Sequence, residues 1–111
     1  MRMTIPVAKV LAALLTEPEE QRYGLDLMRL TGLPSGTLYP VLHRLQGAGW
    51  LAADWEAIDP VAAGRPARRY YRLTAVGVTQ ARQALADLRA AIPDGGRRSW
   101  GGAEPTGAPS W

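Results

Sequence analysis

The amino-acid sequence predicts a mainly α-helical chain with a two-stranded β wing, the winged helix-turn-helix. Three observations carry this reading. Three consecutive short segments place apolar residues at three-and-four spacing, two later segments place them in alternation, and the connection between those two is too rich in Gly and Pro for a tight hairpin. A fourth helical pattern closes the series.

The first helix is predicted to start after Thr4, a capping residue, with Pro6 in a first turn that has no need of its N–H. Val7, Val10, Leu11, Leu14 and Leu15 form its apolar stripe, and it should stop near Glu17, ahead of Pro18. The acidic turn TEPEEQ leads to a second helix over 23–31, with Leu27, Met28 and Leu30 available to the core and Gly32 as its stop. The third lies in LPSGTLYPVLHRLQGAG, where Leu38, Val41, Leu42 and Leu45 mark the buried face. Pro40 sits among them, and proline in a helix interior costs roughly 3 kcal/mol. Two starts accommodate it. A helix begun at Pro34 leaves the Gly36 carbonyl unbonded on the outward side, within reach of water, whereas a cap at Thr37 puts Pro40 in the first turn.

Residues 50–56 alternate through Leu51, Ala53 and Trp55, and residues 69–73 through Tyr71 and Leu73, so both read as strands, with 57–68 projecting between them as a loop. Tyr71 is expected to pack on the helices. Thr74 caps the last helix, where Val78, Ala81, Leu85, Leu88 and Ile92 are spaced three, four, three, four. A seam this short needs a partner, either the first helix of the same chain or a second copy. The second copy is the reading adopted, which makes this a C-terminal dimerisation helix. The expected organisation is a winged helix-turn-helix domain over 1–74, the dimerisation helix over 75–92, and a tail over 93–111. Its glycines and prolines predict disorder, and it carries Trp100 and Trp111.

The composition narrows the chemistry. With 111 residues, 47% hydrophobic and 21% charged, the chain suits one compact domain, and a formal charge of +3 permits an acidic partner. There is no cysteine and one histidine, His43, which excludes thiolate catalysis and cysteine-ligated zinc and leaves no nucleophile and base to pair. No catalytic residue, metal site or cofactor is expected. The apolar run over 7–15 contains Lys9 and is too short to span a bilayer, so a cytoplasmic location is expected, with no membrane partner.

In a winged helix-turn-helix the third helix enters the DNA major groove, and the wing lies on the adjacent backbone or minor groove. With the leucines turned inward, Gly36, Pro40, His43 and Gly47 face outward, flanked by Tyr39 and Arg44. Small residues allow close approach, and Ser35, Thr37, Tyr39, His43 and Arg44 offer donors to phosphates and base edges. Arg65, Arg68, Arg69 and Arg72 fall within eight residues with no acid among them, and the turn Gly64-Arg65-Pro66 is expected to present Arg65 outward. Double-stranded DNA is therefore the expected partner, through Ser35, Gly36, Thr37, Tyr39, Pro40, His43, Arg44, Arg65, Arg68 and Arg69. The runner-up is an adaptor that binds a protein through the same surface.

GTLYPVLHRL followed by GW, then GRPARRYYRLT with Gly77 three residues on, resembles the PadR family of bacterial transcriptional regulators, and YGLDLM resembles that family's second-helix motif. The resemblance implies a homodimeric winged-helix repressor joined through its C-terminal helix, often released by a small-molecule inducer. The length is similar to that of the small subfamily, with one helix after the wing. The family's recognition-helix residues fall on Thr37, Tyr39, Pro40, His43 and Arg44, and its wing motif on Gly64, Arg65, Pro66 and Tyr71. The last helix has no Trp, Tyr or Phe from which an aromatic ligand wall could be built.

Overall fold

The structure is a computed structural model, and it describes residues 1–92. The chain runs α1 (Ile5–Leu15), β1 (Arg22–Tyr23), α2 (Gly24–Thr31), α3 (Ser35–Gly47), β2 (Leu51–Trp55), α4 (Pro60–Ala63), β3 (Arg69–Leu73) and α5 (Ala75–Ala90). The predicted tail lies outside the described residues.

The helix starts follow from their caps. Thr4 Oγ1 accepts the Val7 N–H at 3.3 Å and Thr74 Oγ1 accepts the Gly77 N–H at 2.9 Å, each satisfying a donor that the first turn leaves open. At α2 the Asp26 carboxylate accepts the Tyr23 N–H at 3.1 Å. The longer of the two α3 helices is the one that forms. The Thr37 and Leu38 N–H groups both reach the Pro34 carbonyl, at 3.0 and 2.9 Å, so the helix is under way before Thr37. Pro40 therefore lies inside it. Gly36 and Pro40 are both exposed, which lets water bond the carbonyl that Pro40 cannot.

Leu38, Val41, Leu42 and Leu45 are all at most 1% exposed and meet Val7, Val10, Leu11, Leu14, Leu27, Leu51, Tyr71 and Leu73 in one core. Full burial stabilises each of the larger side chains by roughly 2 kcal/mol relative to exposure.

Several expectations need correction. The sheet has three strands in the order β1-β3-β2, all antiparallel, because Arg22 and Tyr23 pair with Tyr71 and Tyr70 on the free edge of β3. The connection over 57–68 is not all loop. Asp59 caps Val61 N–H at 3.0 Å, Pro60 opens a single helical turn and Gly64 closes it. Leu30 and Trp55 are exposed, at 53% and 56%. Leu30 lies on the outer side of α2, and Trp55 lies where β2 has run past the helices that cover Leu51.

The GW and LT-x-x-G motifs meet in space. The Trp50 carbonyl accepts the Thr74 N–H at 3.0 Å, the Thr74 hydroxyl donates to the Gly49 carbonyl at 2.8 Å, and Gly77 lies directly against the Trp50 backbone. These contacts seat the first turn of α5 on the α3–β2 connection.

Candidate nucleic-acid interface

Burial of the α3 leucines leaves an outer face of Ser35, Gly36, Tyr39, Pro40, His43, Arg44 and Gly47, all exposed, with Thr37 half-buried beside them. No carboxylate lies anywhere on α3, so nothing on the helix itself repels a phosphate. No side-chain hydrogen bond caps its N-terminus, and Ser35 and Gly36 are exposed at that end.

Tyr39 has a second contact. It is 43% exposed, yet its phenol crosses the start of α2 so closely that a Cβ at Gly24 would lie 2.8 Å from Cζ. Gly24 thus makes room for Tyr39, and the YG and LYP motifs form the joint between the two helices of the helix-turn-helix.

At the base of the wing the structure departs from the sequence reading. Arg65 does not stand outward: Nη1 donates to Glu56 Oε1 at 2.7 Å and Nη2 to Oε2 at 3.0 Å, a forked pair. The Tyr23 hydroxyl donates to Oε2 at 2.8 Å and the Arg68 N–H to Oε1 at 3.2 Å. The Glu56 side chain is 14% exposed. These bonds, the Arg65 fork first and the Tyr23 hydroxyl next, hold the Glu56 carboxyl down at about 2. A carboxylate so depressed contributes its full stabilisation above the ordinary carboxylate range and loses it progressively as pH falls from that range through about 2, so the cluster stays intact across the neutral range. Donation to the carboxylate in turn raises the Tyr23 phenol above its ordinary value.

Arg68 and Arg69 are held differently. The Arg68 guanidinium lies 5.7 Å from the Tyr23 ring centroid, and that of Arg69 lies 5.0 Å from the Trp55 ring. Tyr23 also meets Tyr70 edge to face at 6.0 Å. Among the described residues Arg22 pairs with Glu17 and Arg65 with Glu56, whereas Arg68 and Arg69 take part in no such ion pair. Arg72 points elsewhere: it lines an open groove of about 1190 Å³ with Glu17, Glu19, Glu20, Val78 and Arg82.

Sequence reasoning missed Glu56 and Tyr23. Glu56 read as the end of a strand, and nothing in the spacing linked it to Arg65, nine residues on. Tyr23 belonged to a motif, but its hydroxyl's partner lies thirty-three residues away.

The expected dimer seam divides. Ala81 is fully buried in the chain's own core, and Val78 and Leu85 pack against that core, whereas Leu88 is half-buried without joining it and Ile92 is 43% exposed.

Residues 10–83 match the model of the Transcriptional regulator PadR-like family, two thirds of the chain. The chain belongs to the PadR-like family. A relative from Mycobacterium tuberculosis, Transcriptional regulator Rv3488, is 42% identical over 71 residues, which are 64% of this chain and 58% of that protein. The match thus spans little more than half the relative's length. Among solved structures, the PadR family transcriptional regulator from Eggerthella lenta is similar at 28% identity and TM-score 0.59, over 73% of this PadR-like chain and 71% of that one. The MarR family transcriptional regulator SPO1453 from Silicibacter pomeroyi, at 20% identity and TM-score 0.57, covers 79% of this chain with 56% of its own and shares the winged-helix fold.

Proposed function

We propose that this PadR-like chain is a dimeric, sequence-specific DNA-binding transcriptional regulator, a repressor that reads a palindromic operator through α3 and the wing. The observation that carries the reading is the α3 face: exposed donors Ser35, Tyr39, His43 and Arg44 around the small positions Gly36 and Pro40, with no acid among them. Arg68 and Arg69, outside any described ion pair, add cations at the base of the wing. A two-fold dimer would place two α3 helices in successive major grooves, about 34 Å apart, which is why a palindrome is proposed. Leu88, half-buried and outside the core cluster of the described residues, supplies the contact between copies. A dimer seated on a promoter excludes polymerase by occupancy alone, hence repression.

The test is Arg44→Ala titrated against duplex DNA. Loss of one charged contact at the groove should weaken binding by about 10- to 100-fold. Unchanged affinity would move the interface off α3.

A further inference from the structure

Arginine in a wing is ordinarily counted as DNA affinity, yet the four arginines of this wing are not equivalent. We propose that Arg65 is a positioning residue: its forked grip on Glu56 latches the wing to the start of α2, and the wing's phosphate contacts come from Arg68 and Arg69. This inference rests on the DNA-binding reading above and goes beyond it by dividing the wing's charge between two jobs.

The geometry separates them. Both Arg65 Nη atoms are engaged by one carboxylate, at 2.7 and 3.0 Å, and Nη1 also reaches the Pro66 carbonyl at 3.2 Å. The charge of the guanidinium is matched by that of Glu56, so the pair offers a phosphate no net charge. The remaining bonds of Glu56 go to Tyr23, at the entry to α2, and to the Arg68 backbone on the returning arm of the wing. The Glu56 N–H donates to the Arg68 carbonyl at 2.7 Å, carrying the β2–β3 pairing one step past Trp55 and Arg69. One carboxylate therefore ties three places together: the outgoing arm, the returning arm and the helix-turn-helix. Because Tyr39 of α3 packs on Gly24, next to Tyr23, the latch also fixes the wing relative to the reading helix. Arg68 and Arg69 are laid against the Tyr23 and Trp55 rings, which orient a guanidinium without cancelling its charge.

Salt dependence distinguishes the two jobs, because each phosphate neutralised adds about 0.9 to the slope of log affinity against log salt, whereas positioning adds nothing. The experiment is anisotropy titration of a random-sequence duplex, from about 50 to 200 mM salt, with the parent chain and with Arg65→Met, Arg68→Met and Arg69→Met. Arg68→Met and Arg69→Met should each lower the slope by about 0.9. Arg65→Met should weaken binding several-fold while lowering the slope by clearly less than either of those, the small change coming from the Glu56 carboxylate it leaves unpaired. A slope for Arg65→Met that falls as far as the other two, or no fall for either of those, overturns the assignment. Thermal melting of Glu56→Gln, Arg65→Met and the double variant tests the latch without DNA. The double variant should melt no lower than the worse single, and additive losses would overturn the latch. A parent chain that binds no duplex at the lowest salt defeats the DNA-binding reading and the phosphate assignment with it, while the melting cycle still decides whether Arg65 and Glu56 act as a pair.

Discussion

Gly77→Ala is expected to destabilise the domain by about 3 kcal/mol, lowering its melting temperature by roughly 10–20 °C. Alanine is ordinarily the better helix residue by about 1 kcal/mol, so the direction is set by contact and not by propensity. A Cβ at this position would overlap the Trp50 carbonyl oxygen and come within 2.7 Å of the carbonyl carbon and 3.0 Å of the Cα. These are backbone atoms, and the same carbonyl is already bonded to the Thr74 N–H, so neither side can yield without unseating the first turn of α5. Gly36→Ala is the control. It lies in α3 with nothing within 4 Å of its Cβ position, and it should melt at or slightly above the parent. Equal melting of Gly77→Ala and the parent would show that α5 is not seated as described.

The second large effect concerns assembly. If the proposed dimer forms through this seam, Leu88→Glu should yield a folded monomer that binds operator DNA on the order of 100-fold more weakly, because the second half-site is then no longer held close by the first. Leu88 is the informative position because it is half-buried without joining the core, whereas Leu85 packs against the core and a charge there would also damage the fold. Sedimentation checks the mass, and a Leu88→Glu variant that still sediments as a dimer would place the contact elsewhere on the surface.

What could be read in the sequence follows from the physics of each signal. The faces of α1 and α3 were legible because a run of leucines and valines at helical spacing has one way to be buried, and the caps Thr4 and Thr74 act as expected. The Arg69–Leu73 strand was legible because five alternating residues are enough to show a period. Strand β1 was not, since two residues have no period and its pairing is set by where β3 leaves an open edge. The turn α4 carried its signals, Asp59 before Pro60 and Gly64 after, within a stretch whose Gly and Pro content argued for a loop.

The reading of the wing failed on a different point. A run of arginines shows the sign of a charge but not its partner, and the partner of Arg65 is supplied by strand pairing from nine residues upstream. The outward row on α3 was legible, with one addition: Tyr39 braces Gly24 as well as facing outward. Gly77 was visible as part of a motif, and its reason, the Trp50 backbone, exists only in the folded chain.

The α3 face and the base of the wing are together proposed as a DNA-binding surface. Its most direct test is titration of the unmodified chain, at two salt concentrations, against a duplex from upstream of its own gene and a random duplex of equal length. Affinity should fall steeply as salt rises on both duplexes, with tighter binding to the upstream one. Absence of binding to either duplex at low salt would contradict the proposal and favour a protein partner for the same surface.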